Sequence, residues 1–260
     1  MRGVNRPLFG VLIAIAITAT MDATGLTVFS ALPLFPLMAL FWYLERLPRT
    51  DVGFVWGRWA DYGVAVIFPL IVLSLAAAVA GVAGQLHTAS TDWGKAVLNV
   101  SINAAGTVPV AILTEEGFFR GWLWASLDRS GLKILNIVVW TSVAFALWHI
   151  SEVTLAKGYT LPPMQIPIFI ANAAVLGAIW GLLRAISGSV IVTSVSHGLW
   201  NGGAYALFGV GTRVGALGIA DKATYGVEVG IVGLVLNVLF AVALWRWWML
   251  QEERRPNPTA

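Results

Sequence analysis

The sequence lacks cysteine altogether and carries little charge. Of its 260 residues, Asp, Glu, Lys and Arg make up 11%, against about 25% in an ordinary soluble domain. The absence of cysteine excludes a disulfide framework and any thiolate nucleophile or metal ligand. The scarcity of charge, set against 58% hydrophobic residues and a mean hydropathy of +0.80, excludes water as the main solvent. A net charge of +3 and a pI near 9.4 do not amount to a nucleic-acid partner. The cations are scattered between apolar runs, whereas a nucleic-acid footprint gathers them on one face or tail. No internal repeat, low-complexity tract or soluble domain interrupts the pattern.

What the sequence has in quantity is apolar stretches of membrane-crossing length. A hydrocarbon core of roughly 30 Å takes about 20 apolar helical residues, and eight segments approach that requirement: 8–21, 27–44, 62–84, 99–127, 134–155, 164–186, 188–209 and 229–250. The fold class expected is therefore all-α, a polytopic membrane helix bundle with about eight transmembrane helices. Pro33 and Pro36 predict a kink in the second span. Arg184, Ser187 and Gly188 predict the break that divides 164–209 into two spans. Three regions follow: 1–96 with about three helices and an interfacial piece at Phe54–Asp61, 97–209 with about four helices, and 210–260 with a last helix and a polar tail after Gln251. Thirteen tryptophans, some clustered as Trp245-Arg246-Trp247-Trp248, suit the membrane–water interface, and aromatic packing accounts for others.

Eight spans leave both termini on the same side. That side collects Arg2, Arg6, Arg46, Arg49, Arg58, Arg120, Arg129, Lys133, Arg184, Arg246, Arg254 and Arg255; the other holds Lys95, Lys157, Arg213 and Lys222. Lys and Arg are enriched in cytoplasmic loops, so a multi-pass protein of the cell membrane with cytoplasmic termini is expected. Residues 1–22 also have the basic start and apolar stretch of a cleaved signal peptide.

Ionisable groups at bilayer depth are costly, and each one is a functional hypothesis. Three spans carry them: Thr114-Glu115-Glu116-Gly117-Phe118-Phe119-Arg120, Phe145-Ala146-Leu147-Trp148-His149 and His197-Gly198-Leu199-Trp200-Asn201. The remaining histidine, His87, lies in a polar loop. Residues four apart share a helix face, so Glu116 pairs with Arg120, Phe145 packs beneath His149, and His197 with Asn201 present two polar groups to one point. Glu115, turned about 100° from Glu116, is the carboxylate left free to react. At about 1.5 Å per residue, Glu115, His149 and His197 lie roughly 20–24 Å from Arg129, Lys133 and Arg184. These similar depths predict a single cluster.

A carboxylate, two imidazoles and an amide suit hydrolysis of a carbonyl compound. Glu115 would act as general base on a water that His149 holds and polarises. His197 and Asn201 would donate to the developing oxyanion, and Glu116, Arg120 and Phe145 would support Glu115 and His149 from behind. A metal is the competing chemistry: Glu115, Glu116, His149 and His197 are the donors that could hold zinc, although no His-Glu-x-x-His helix is present. No cofactor is required by the first reading. Simpler readings exist for each residue. The Glu-Glu/Arg segment could be a structural ion-pair network, and Asn99, Asn103, Asn136, Asn172 and Asn201 could join helices. Gly177 and Gly181 fit helix packing. Trp148 and Trp200 either wall the site or face lipid.

Glu-Glu-x-x-Phe-Arg, then Phe-x-x-x-His, then His-x-x-x-Asn, in that order over about 97–209, resembles the CAAX proteases and bacteriocin-processing enzymes. This family includes the type II CAAX prenyl endopeptidases of the Abi group. The resemblance implies an eight-helix membrane protein with a cavity open to the cytosol. It implies that Glu115 and His149 activate water, and that His197 and Asn201 stabilise the oxyanion. It implies an intramembrane endopeptidase whose partners are membrane lipid and a peptide or prenylated protein. Two other classes fit the same buried residues. A transporter or channel would use them as an ion path, although it would favour internal symmetry, and a non-catalytic immunity or scaffold member would keep only the fold.

Overall fold

In the computed structural model, the described residues are 5–157, 161–211 and 213–253. The polar tail from 254 onward, with Arg254 and Arg255, and Met1 and Arg2 lie outside them. The first helix, α1 (Asn5–Thr24), carries the first span to twenty residues, with Asp22 buried near its end. A 3-10 turn at Thr27–Phe29 leads to α2 (Leu34–Glu45). The expected kink in this span is corrected. Pro33 immediately precedes α2 and Pro36 falls in its first turn, so the prolines start a helix instead of bending one. A pyrrolidine ring is tolerated where no intrahelical donor is needed.

After the short α3 (Arg49–Val52), α4 (Trp59–Val82) and α5 (Trp93–Leu113) follow. Asp92 caps α5 by accepting from the backbone N–H of Lys95. The span expected as one helix at 99–127 is a continuous run, Trp93–Arg129, but not a uniform one. Thr114, at φ −113° and ψ −98°, breaks it. The chain resumes as a π-helical stretch, Glu116–Leu123, before α6 (Trp124–Arg129). Pro109, inside α5, already deprives a carbonyl one turn back of its donor. Gly117 is required beside the break, because a Cβ there would lie 2.3 Å from the Ile112 carbonyl oxygen and 2.7 Å from Met38 Sδ.

Next come α7 (Ile134–Trp148) and the single turn α8 (Ile150–Thr154), with His149 at their junction. Then α9 (Ile166–Ser187) ends at Gly188 in the left-handed region, φ 67°, which is the break that the sequence predicts. Ser189 caps α10 (Val190–Gly203), which continues as a π turn, Ala204–Phe208. The chain closes with α11 (Lys222–Tyr225) and α12 (Ile231–Glu253). Among the described residues there is no strand, and seven helical runs are long and apolar enough to cross a membrane. The eighth expected span, 188–209, is the shorter α10 with its π turn, buried among its neighbours.

Small residues set that burial. Gly198 and Gly202 lie against the α5 backbone, where Cβ atoms would come within 2.8 Å of Ala104 O and 2.7 Å of Val100 O respectively. Gly177 and Gly181 play the expected packing role against Ser142 and Val138 of α7. Of the asparagines expected to join helices, Asn172 does so. It donates to the carbonyls of Val227 and Glu228 and accepts from Asn237. Asn99, Asn103 and Asn136 are instead exposed, since each falls on an outer face of its helix.

Candidate active site

The helix break at Thr114 delivers two neighbouring glutamates to different environments. Glu116 is fully buried and its Oε1 lies 3.1 Å from Arg120 Nη1, the expected pair. Arg120, also fully buried, donates from Nη2 to the Gly177 carbonyl of α9 at 3.0 Å. Its guanidinium sits 4.4 Å from the Phe145 ring centroid. Three helical elements thus surround one cation and offset the cost of its burial, although Arg120 Nε has no hydrogen-bond partner among the described residues. Arg184 continues the arrangement, donating from Nε to the Arg120 carbonyl and from Nη2 to that of Asp51.

Glu115 does not share Arg120. Its side chain is 18% exposed, and its Oε2 lies 3.9 Å from His197 Nε2. The other ring nitrogen of His197, Nδ1, lies 3.1 Å from Glu116 Oε1. His197 therefore sits between the two carboxylates, hydrogen-bonded to Glu116 alone, a relation the sequence does not predict because it joins helices far apart in the chain. The Trp180 indole stacks on the His197 ring, with centroids 4.0 Å apart and planes 12° apart. His149 makes its Nδ1 contact with the Phe145 carbonyl at 2.8 Å, and the two rings meet at 4.4 Å.

Glu115, His149, His197 and Asn201 all line one cavity of about 180 Å³. Phe145 lines it too, while Glu116 and Arg120 lie behind it. The choice left open for two tryptophans is resolved inward, since Trp148 and Trp200 are both buried cavity walls. Trp148 donates to Thr18 of α1, and Trp200 stacks on Phe68 of α4 with centroids 5.2 Å apart.

Of the donors posited for zinc, Glu116 is the one engaged through Oε1 by two other groups. Glu116 is held by Arg120 and His197, and His197 is committed through Nδ1 to Glu116. Among the described residues, no group of three or more His, Cys, Asp or Glu is placed to hold a metal ion.

The tautomers bear on what the site can do. Phe145 O can only accept, so His149 Nδ1 carries the proton and a neutral His149 offers a lone pair at Nε2. With Glu116 ionised, the same holds for His197. His197 then donates from Nε2 only as imidazolium, whereas the Asn201 amide donates in every state.

Among the cavity residues that escape the sequence reading are Glu152, Glu228 and Trp180. Glu152 follows His149 by one helical turn, and Glu228 enters from the loop before α12. Trp180 comes from the middle of α9. An ionisable residue so close to His149 in an apolar segment was a usable signal. Glu228 and Trp180 gave none.

These features define a polytopic helical membrane protein with a polar, aromatic-walled cavity between its helices. Residues 97–203 match the family model described as type II CAAX prenyl endopeptidase Rce1-like, the same segment over which the three motifs resemble the CAAX proteases. The match supports a CAAX-type intramembrane protease at the level of the family. No curated protein and no solved structure matches the chain.

Proposed function

We propose that the protein is an intramembrane endopeptidase that hydrolyses a peptide bond of a membrane-associated or lipidated protein. The observation that supports this most is that Glu115, His149, His197 and Asn201, from three separate segments, line one cavity. In this reading Glu115 takes a proton from water as the water oxygen attacks the scissile carbonyl carbon. His149 holds the same water by accepting its second hydrogen at Nε2. The oxyanion receives a hydrogen bond from the Asn201 amide, and a second from His197 when that ring is protonated. The C–N bond then breaks, Glu115 returns the proton to the leaving nitrogen, and a carboxylic acid and an amine are released. No metal or other cofactor takes part in these steps. Glu116 and Arg120 act behind Glu115, one holding His197 and the other anchoring the segment to α9. Both termini lie in the cytoplasm on the distribution of cations, and the cavity serves substrates reaching it from that side.

The test is cleavage of farnesylated and unmodified C-terminal peptides by the purified protein in lipid nanodiscs. Glu115→Gln should lower kcat by about 10²–10⁴-fold, the usual worth of a general base, with the fold retained. Full activity in Glu115→Gln or His149→Ala would remove the assigned roles. Ion or solute flux through wild-type proteoliposomes without hydrolysis would move the protein to the transporter class. Neither activity would leave a non-catalytic member.

A further inference from the structure

The cavity holds more carboxylate than hydrolysis needs. Glu152 and Glu228 line it alongside Glu115, from α8 and from the loop before α12. The charges of Glu228, Glu115 and Asp22 all bear on Glu152. Among the described residues, the ion pairs are Arg58–Asp61, Arg120–Glu116 and the two contacts of His197, so neither Glu152 nor Glu228 has a cationic partner. Like charges gathered without a counter-ion in a low-dielectric site repel one another.

Glu228 is also held in place. Asn172, itself a cavity residue, donates to the backbone carbonyls of Val227 and Glu228 and is fixed in turn by Asn237. Burial pushes the Glu228 carboxyl up to about 7, with the Trp200 indole and His197 opposing that rise. Part of the remaining wall is aromatic, with Trp148, Phe169, Trp180 and Trp200 in it. Aromatic faces attract cations. A separate observation also points to a ligand. Trp180 is 1% exposed, lines the same cavity, and its Nε1 has no acceptor among the described residues. A peptide carbonyl would supply one.

We infer that Glu152 and Glu228 select a substrate carrying a cationic side chain, Lys or Arg, beside the scissile bond, while Trp180 Nε1 donates a hydrogen bond to a backbone carbonyl of that substrate. This rests on the peptidase reading and narrows its substrate to basic membrane-associated peptides. An ammonium or guanidinium group would supply the missing counter-charge for two carboxylates at once. Charge-assisted contacts of this kind change affinity by about tenfold or more.

The experiment uses the full chain in nanodiscs and a set of farnesylated peptides in which each position near the C-terminus carries Lys, Gln or Glu in turn. The expected wild-type result is a kcat/KM for the best Lys peptide at least about tenfold above its Gln counterpart, with the difference mainly in KM. In Glu152→Gln/Glu228→Gln that ratio should fall towards one. Equal cleavage of Lys and Gln peptides by wild type, or an unchanged ratio in the double variant, overturns the inference and leaves the peptidase standing. Binding of the same peptides to Glu115→Gln, read by fluorescence anisotropy, separates the other case. A Lys preference in binding with no hydrolysis by wild type sinks the peptidase and keeps the cation site. No preference in either readout sinks the cation site.

Discussion

The two adjacent glutamates show how much one residue of displacement decides. Glu116 is fully buried and tied to a cation, while Glu115 remains in contact with the cavity. This division of labour was readable from the sequence, because a spacing of four residues joins Glu116 to Arg120 and turns Glu115 away. Removing the cation isolates a buried carboxylate, so Arg120→Ala should destabilise the protein by about 3–5 kcal/mol, measured as loss of the folded fraction in a detergent unfolding titration. Arg120→Lys should recover only part of that. A lysine has one charged head, whereas Arg120 binds Glu116, the Gly177 carbonyl and the Phe145 face together. Full stability in Arg120→Ala would show that the pair is not what holds this segment.

At the scale of elements, the site depends on interruptions in helices. His149 stands between α7 and α8, and Glu115 and Glu116 follow the break at Thr114. Such interruptions, π-helical stretches included, are frequent at functional sites. They were not legible beforehand, since the hydrophobic run across 93–129 continues through the break and only the backbone angles reveal it. The α5–α10 crossing governs the other half. A Cβ on Gly198 would meet Val108 Cγ2 at 2.6 Å and the Ala104 carbonyl oxygen at 2.8 Å. Gly198→Ala should therefore push α10 from α5, carry His197 and Asn201 with it, and cost about 1–3 kcal/mol. A lower melting temperature together with a lower kcat is expected. A variant with wild-type melting and activity would mean that the crossing is slack.

At the scale of the whole molecule, the absence of cysteine becomes an experimental advantage. Single cysteines can be introduced without a competing thiol. Thr50 and Ser90, both exposed, lie at opposite ends of the proposed topology. In intact cells, Ser90→Cys should react with a membrane-impermeant maleimide and Thr50→Cys should react only after lysis. The reverse pattern would invert the topology and place the cytoplasmic approach to the cavity in doubt. The bundle itself exposes many large apolar side chains, such as Val28, Tyr43 and Val82, as lipid contact requires.

The sequence alone determined that the chain is a membrane helix bundle, because apolar run length and scarce charge are one-dimensional properties. It also picked out Glu115, His149, His197 and Asn201, because charge in an apolar run stands out without knowledge of the fold. Tertiary structure decided what those residues touch: His197 between two glutamates, Trp180 stacked on it, and Glu152 and Glu228 in the same cavity. Contacts between helices distant in the chain depend on crossing geometry and on glycines that admit close approach, and no local spacing encodes them.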